Sequence, residues 1–176
     1  MNEVVIVEAI RTPIGAYKGS LKELSAEKLG SIVIREILRK SKLDKDDIDE
    51  LIMGQVLTAG GGQNPARQAA INAGINISKP AHIVNQVCGS GLRAVISGYQ
   101  SIKLGDVKNV ISGGQENMSL APHSIFYRDN KKISEKHLID TMINDGLIDA
   151  FNKYHMGVTA ENVAKKLNIS RVEQDD

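Results

Sequence analysis

Short β-branched apolar runs alternate with longer stretches of helical period through the first two-thirds of this chain, and no other feature restricts the fold as strongly. Glu3 to Ala9 is apolar on both faces, as expected of a strand covered from each side. Ser25 can cap a helix whose Leu29, Ile32, Val33, Ile37 and Leu38 recur at helical spacing. Arg35, Arg39 and Lys40 lie near the end where the helix dipole favours cations. After a polar connection from Asp44 to Glu50, Leu51 to Leu57 reads as the second strand. Thr58 to Gln63 is a Gly-rich loop; Asn64-Pro65 then opens a helix with a cap and a proline at its first position, and Gly74 ends it. Ala66, Ala69, Ala70 and Ala73 give this helix so little bulk that it is expected to pack closely on a neighbour. Ala81 to Val87 is the third strand, Gly89 to Leu104 the third helix and Val107 to Gly113 the fourth strand. The order βαβαβαβ predicts an α/β fold, a largely parallel sheet with helices on both faces.

Composition narrows the function. Of 176 residues, 22 are Lys or Arg and 21 Asp or Glu, a formal charge of +1 without the basic footprint of a nucleic-acid binder. No apolar run approaches the roughly 20 residues that span a bilayer. The N-terminus has acidic flanks and lacks the small-residue cleavage site of a signal peptide. One cysteine excludes an intramolecular disulfide and fits a reducing compartment, so the expected location is the cytoplasm.

Beyond Glu116 the pattern breaks: Asn117 to His123, and a charged stretch from Arg128 to Lys136, show little periodicity. A domain boundary is placed there, giving residues 1–116 and 117–176. The tail carries one clear helix, Val158 to Leu167, with Val163, Ala164 and Leu167 on one side. Ser170-Arg171-Val172-Glu173 then matches a capping box, a helix start with only three residues beyond it. It reads as a chain stopping in mid-fold, the rest of the domain lost or supplied by another chain.

The strongest chemical candidate is Cys88, in Asn85-Gln86-Val87-Cys88-Gly89-Ser90-Gly91-Leu92-Arg93-Ala94. A strand running into a lone Cys, then Gly-Ser-Gly and a helical pattern, places the sulfur at a helix N-terminus. There, unpaired N–H groups and the dipole stabilise a thiolate. A thiolate so placed forms thioester intermediates, and the Cys88 N–H can help hold a developing oxyanion. The plain alternative is a small buried core residue. A rival reading takes Gly89 to Ala94 as G-x-G-x-x-A with Glu116 on a ribose, but the motif sits on the third βα unit rather than the first. His82, His123, His137 and His155 lack metal-ligand spacing. His155 lies just before a helix, where a solvated loop residue is the simpler account. Gly60 to Arg67 can wrap a phosphate yet lacks a P-loop ending, so a mobile loop is simpler.

Taken together, Arg11 to Gly15, Gly60 to Ala70, Asn85 to Val95, Gly113 to Ser119, Asp145 to Leu147 and His155 to Ala164 resemble, in order, the thiolase family, most closely its short-chain branch. The resemblance implies two similar βαβαβαββ halves in a layered αβαβα core, with a loop domain inserted in the first. This chain would hold most of the N-terminal half and the start of the loop domain. It implies that Cys88 takes an acetyl group from acetyl-CoA and passes it to a second acetyl-CoA, giving acetoacetyl-CoA and CoA, or catalyses the reverse thiolysis. The CoA thioester is substrate and no separate cofactor is implied. By the same resemblance Leu147 and His155 border bound CoA and Met156 lines the short acyl pocket. The family's activating His, second Cys and water-orienting Asn belong to the C-terminal half. A homo-oligomer, dimer or tetramer, and a completing C-terminal half are the implied partners, with no nucleic acid and no membrane. The readings kept beside it are a non-catalytic remnant or assembly module and a longer-chain 3-ketoacyl-CoA thiolase, which the His155-Met156-Gly157 match disfavours.

Overall fold

In a computed structural model describing residues 3–128, 134 and 138–176, the main sheet has three parallel strands. They are β1 (Glu50–Gly54), β2 (Ala81–Val84) and β3 (Val110–Gly114), in the order β2-β1-β3. Leu51 faces Ala81 and Ile111 across the ladders, and Ile52 faces His82 and Ser112. Parallel neighbours require crossovers, supplied here by helices α2 (Pro65–Ala73) and α3 (Ser90–Leu104); α1 (Ala26–Ser41) precedes β1. Strand alternation then sorts the layers. Leu51, Met53 and Ile111 join Ile34 of α1 and Ala66, Ala69 and Ala70 of α2 in one core, with Ala81 and Ile83 packed against it. On the opposite face Gly54, Ser112 and Gly114 lie against α3: side-chain carbon on Gly54 would meet Ser90, and on Gly98 would meet Ser112. Ile34, Ile48, Leu51 and Ile52 are 1% exposed, and each contributes about 1.5–3 kcal/mol by leaving water.

The local signals explain where α2 begins and ends. Asn64 Oδ1 accepts from Arg67 N–H at 3.1 Å, Pro65 occupies the first turn, and Gly74 closes the helix at φ +92°. Its alanines permit the close approach expected of them: a Cβ on Gly30 of α1 would sit 3.5 Å from Ala69 Cβ. In α1 Ile37 and Leu38 pack against the core as expected, but they are not the most buried residues of the helix. Ile34, Gly30 and Ala26 are buried, whereas Ile32 is exposed. Ser25 begins the helix, but its hydroxyl donates to the Glu27 carboxylate and makes no capping bond to backbone.

Among the described residues the expected first strand is absent. Glu3 to Ala9 pairs with no strand, and Val5, Ile6 and Val7 are 65, 81 and 66% exposed. The residues favour extended backbone, but a strand exists only where another strand offers a ladder, and none of the described strands pairs with them. The other strands are shorter than expected: β1 and β2 end sooner, at Gly54 and Val84, with Val87 beyond β2 in left-handed backbone at φ +49°, and β3 begins later, at Val110.

The first compact unit spans Met1–Pro122 and the second His123–Asp176. The second holds a two-stranded ladder of β4 (His123–Ser124) and β5 (Ile139–Asp140), a wide helical turn at Met142–Leu147, and helices α4 (Met156–Leu167) and α5 (Arg171–Asp175). The capping box at Ser170 and Glu173 forms in both directions and does start a helix, α5, contrary to the expectation of a start with nothing after it. Val163 and Leu167 of α4 are exposed rather than packed. Among the described residues, every buried apolar side chain lies between Ala26 and Ile111, so the second unit has no apolar core of its own. Most of the charged stretch from Arg128 to Lys136, together with His137, falls outside the described residues.

Candidate active site

β2 ends at Val84 and α3 starts at Ser90, so five residues turn the chain from strand to helix with Cys88 among them. Hydrogen bonds close this turn, among them one from the Ser90 hydroxyl to Val87 O at 2.5 Å. Val87 N–H donates to Asn85 Oδ1 (2.9 Å), Gly89 N–H to Gln86 O (3.0 Å), Ser90 N–H to Val87 O (3.0 Å) and Gln86 N–H to Ser90 Oγ (2.9 Å). Val87, a β-branched residue in left-handed backbone, is the strained element, and strain of this kind persists only where the surroundings enforce it. The result is a free, exposed Cys88 just ahead of Gly89, the N-cap of α3. The alternative of a buried core cysteine is therefore excluded.

The turn rests on glycines. A Cβ on Gly54 would lie 2.5 Å from Gly91 N and 2.6 Å from Ser90 O; one on Gly114 would lie 3.5 Å from Gly91 Cα. Only bare backbone at Gly54 lets the first turn of α3 settle on the ends of β1 and β3. Close beyond, Glu116 Oε2 accepts from Val56 N–H (2.8 Å) and Leu57 N–H (3.3 Å). Burial pushes the Glu116 carboxyl above the usual carboxylate range, opposed by the N–H groups of Val56, Leu57 and Asn117. Engaged in this way, Glu116 does not present the free carboxylate that a ribose needs, and Gly91 serves packing. The dinucleotide reading is not supported. Sequence reasoning missed the structural parts of Gly54 and Glu116; only the Gly immediately after an apolar strand gave a signal, and a weak one.

In the second unit three expected residues come together. Leu147 ends the helical turn, the next residue, Ile148, bridges antiparallel to His155, and Met156 begins α4. Asp149 shapes the intervening loop, its Oδ1 accepting from Phe151 N–H at 2.9 Å and its N–H donating to Tyr154 O at 2.9 Å. His155 is exposed yet not merely solvated: its Nδ1 accepts from Gly157 N–H at 3.0 Å and caps α4. A neutral ring with the proton on Nε2 satisfies that geometry. Leu147 and Met156 are half-buried.

Other sequence candidates resolve into structural roles. His82 pairs with Glu50 at 3.3 Å, and His123 lies 3.9 Å from Asp140. Arg67, the cation of the Gly-rich loop, turns its guanidinium onto the carbonyls of Ile77 and Lys79. Gln68 Nε2 ties that loop down through Gly61 O and Gln63 O at 2.8 and 2.9 Å, so it is braced rather than free to wrap a phosphate.

Fold and site together define a parallel α/β domain that presents one cysteine where a strand turns into a helix. Residues 4–176 match the thiolase N-terminal domain, and the chain belongs to the thiolase family. It is 53% identical over 176 residues to an acetyl-CoA acetyltransferase of Pseudomonas aeruginosa, covering 99% of this chain and 45% of that protein. Identity to a cytosolic acetyl-CoA acetyltransferase of Rattus norvegicus is 51% over 174 residues, covering 99% and 44%. A probable acetyl-CoA acetyltransferase of Escherichia coli is 50% identical over 176 residues, covering 99% and 45%. The chain thus spans a little under half the length of these relatives. No helix among the described residues is long and apolar enough to cross a membrane.

Proposed function

We propose that this chain supplies the N-terminal part of an acetyl-CoA acetyltransferase, with residues 1–116 as the nucleophile domain and 117–176 as the start of the inserted loop domain. The Cys88 thiolate attacks the acetyl carbonyl of acetyl-CoA, the tetrahedral intermediate expels CoA as its thiolate, and acetyl-Cys88 remains. A second acetyl-CoA, deprotonated at its methyl carbon, attacks that thioester, forms the new carbon–carbon bond and returns the Cys88 thiolate, releasing acetoacetyl-CoA. Leu147 and His155 flank the CoA, Met156 limits the acyl pocket, and the Cys88 N–H helps hold the oxyanion. The base that activates Cys88 and the groups that deprotonate the second substrate come from a C-terminal half, and the complete enzyme is a cytoplasmic homo-oligomer.

The observation that carries this reading is an exposed Cys88 on a braced strand-to-helix turn, in a chain at least half identical throughout to acetyl-CoA acetyltransferases. The alternative is a non-catalytic assembly module in which Cys88 is not acylated, since the members of a catalytic group act as a unit. Intact-protein mass spectrometry after brief incubation with acetyl-CoA separates the two. An acetyl adduct that is absent from Cys88→Ser supports the enzyme reading. A folded sample without an adduct, alone and when mixed with the C-terminal half of a relative, rejects it.

A further inference from the structure

The proposed acyl-transfer chemistry gives Glu116 no task, yet its position in the fold is specific. β1 and β3 stay in register to Gly54 and Gly114, and the ladder runs one step further, Gln115 N–H donating to Gly54 O at 3.0 Å. Past that step Glu116 Oε2 takes the N–H groups of both Val56 and Leu57, at 2.8 and 3.3 Å. The side chain continues the ladder after the backbone has left it. Its other oxygen, Oε1, is buried and accepts no well-aligned hydrogen bond among the described residues, although the Asn117 N–H also favours the charged carboxylate. A staple needed only for stability would keep that oxygen in water, because burying it unpaired is unfavourable. Asp49 shows the cheaper form of the same device at the opposite end of this strand pair. There Oδ2 accepts from Lys108 and Asn109 N–H at 2.8 and 3.1 Å, and the carboxyl is held below the usual range, first by those bonds.

What distinguishes the Glu116 end is its load: Ser90 and Gly91 of α3 sit directly on Gly54, and Gly91 lies close to Gly114. We infer that Glu116 is a positioning residue for Cys88, clamping the ends of β1 and β3 so that the glycine seat under the Cys88 turn keeps its shape. The clamp acts through backbone, from Glu116 to Val56 and Leu57, along to Gly54, and up to Ser90 and Gly91. It rests on Cys88 being the reactive group of the proposed function, but it can be read without CoA, since Cys88 is the one thiol in the chain.

Iodoacetamide alkylation followed by intact mass measures Cys88 alone. Glu116→Met keeps length and apolar cover but accepts no hydrogen bond, Glu116→Ala removes the side chain, Glu116→Gln retains one acceptor oxygen, and Asp49→Ala opens the clamp at the far end. The Met and Ala variants should alkylate roughly tenfold more slowly, because the turn that presents Cys88 is no longer held on its glycine seat. The Gln variant should recover most of the parent rate and Asp49→Ala should keep it. Amide exchange should quicken at Gly89 and Ser90 in the Met and Ala variants while α1 is unchanged. Parent rates in a folded Met or Ala variant would overturn the assignment, as would equal slowing in Asp49→Ala. So would failure of both the Met and Ala variants to fold, which would make Glu116 part of the general core. Loss of acetylation by acetyl-CoA with these alkylation differences intact would reject the acyltransferase reading and leave the positioning role standing.

Discussion

Gly54→Ala is the sharpest perturbation of the candidate site that leaves every polar group in place. The added methyl carbon would lie 2.5 Å from Gly91 N and 2.6 Å from Ser90 O, both backbone atoms, so no flexible side chain can move aside. Ordinary van der Waals separation requires the first turn of α3 to lift from β1 by roughly 1 Å. Overpacking of this kind costs about 1–3 kcal/mol, and with a central strand on one side and a helix start on the other the upper end applies. For a unit of this size a loss of about 3 kcal/mol lowers Tm by roughly 10 °C. Gly113→Ala is the matched control, one residue before Gly114 in β3, where a Cβ meets nothing within 4 Å. In a strand that change is neutral or stabilising by up to about 1 kcal/mol. Thermal melting and the Cys88 alkylation rate should both move for Gly54→Ala and hold for Gly113→Ala. If the two variants melted together and alkylated at the parent rate, the glycine seat would not be what positions the Cys88 turn.

Asn117 Nδ2 donates to the carbonyls of Leu21, Lys22 and Leu24 at 3.3, 3.1 and 2.6 Å, so Asn117→Asp replaces that donor with a charged acceptor facing three carbonyl oxygens. Urea unfolding should show a loss of about 2–3 kcal/mol, more than for Asn117→Ala; a smaller loss for Asp would refute the donor role. The two carboxylate clamps should titrate with opposite signs. Asp49, held low in the folded state, adds stability that is present above its unfolded value and lost as pH falls through its folded one. Glu116, held high by burial, favours folding while protonated, and that contribution disappears as pH rises from the ordinary glutamate value through its raised one. Glu116→Gln should therefore gain on the parent as pH rises through that window, and Asp49→Asn should fall behind it as pH rises through the acid range. Urea midpoints between pH 3 and 8 with parallel curves would contradict both. Ser170→Ala removes the cap of α5, a local effect of about 1 kcal/mol that should quicken amide exchange at Glu173 and leave global melting unchanged.

Much of this protein follows from sequence where the determining forces are local. The caps at Asn64 and Ser170 and the stop at Gly74 depend on residues within a few positions of one another, and each forms as expected. So does the strand–Cys88–helix order, because an apolar run, two glycines and a helical period are all written consecutively. Tertiary structure alone decided the rest. Glu3 to Ala9 has strand composition and no ladder, since pairing belongs to a neighbour and not to the segment. Ile34 rather than Ile32 enters the core because the position of α2 chooses the covered face of α1. The left-handed Val87, the bare Gly54 and the half-buried Glu116 are unremarkable letters in a sequence. They acquire their roles only when β1, β3 and the start of α3 meet, where excluded volume and the loss of water set what each backbone can tolerate.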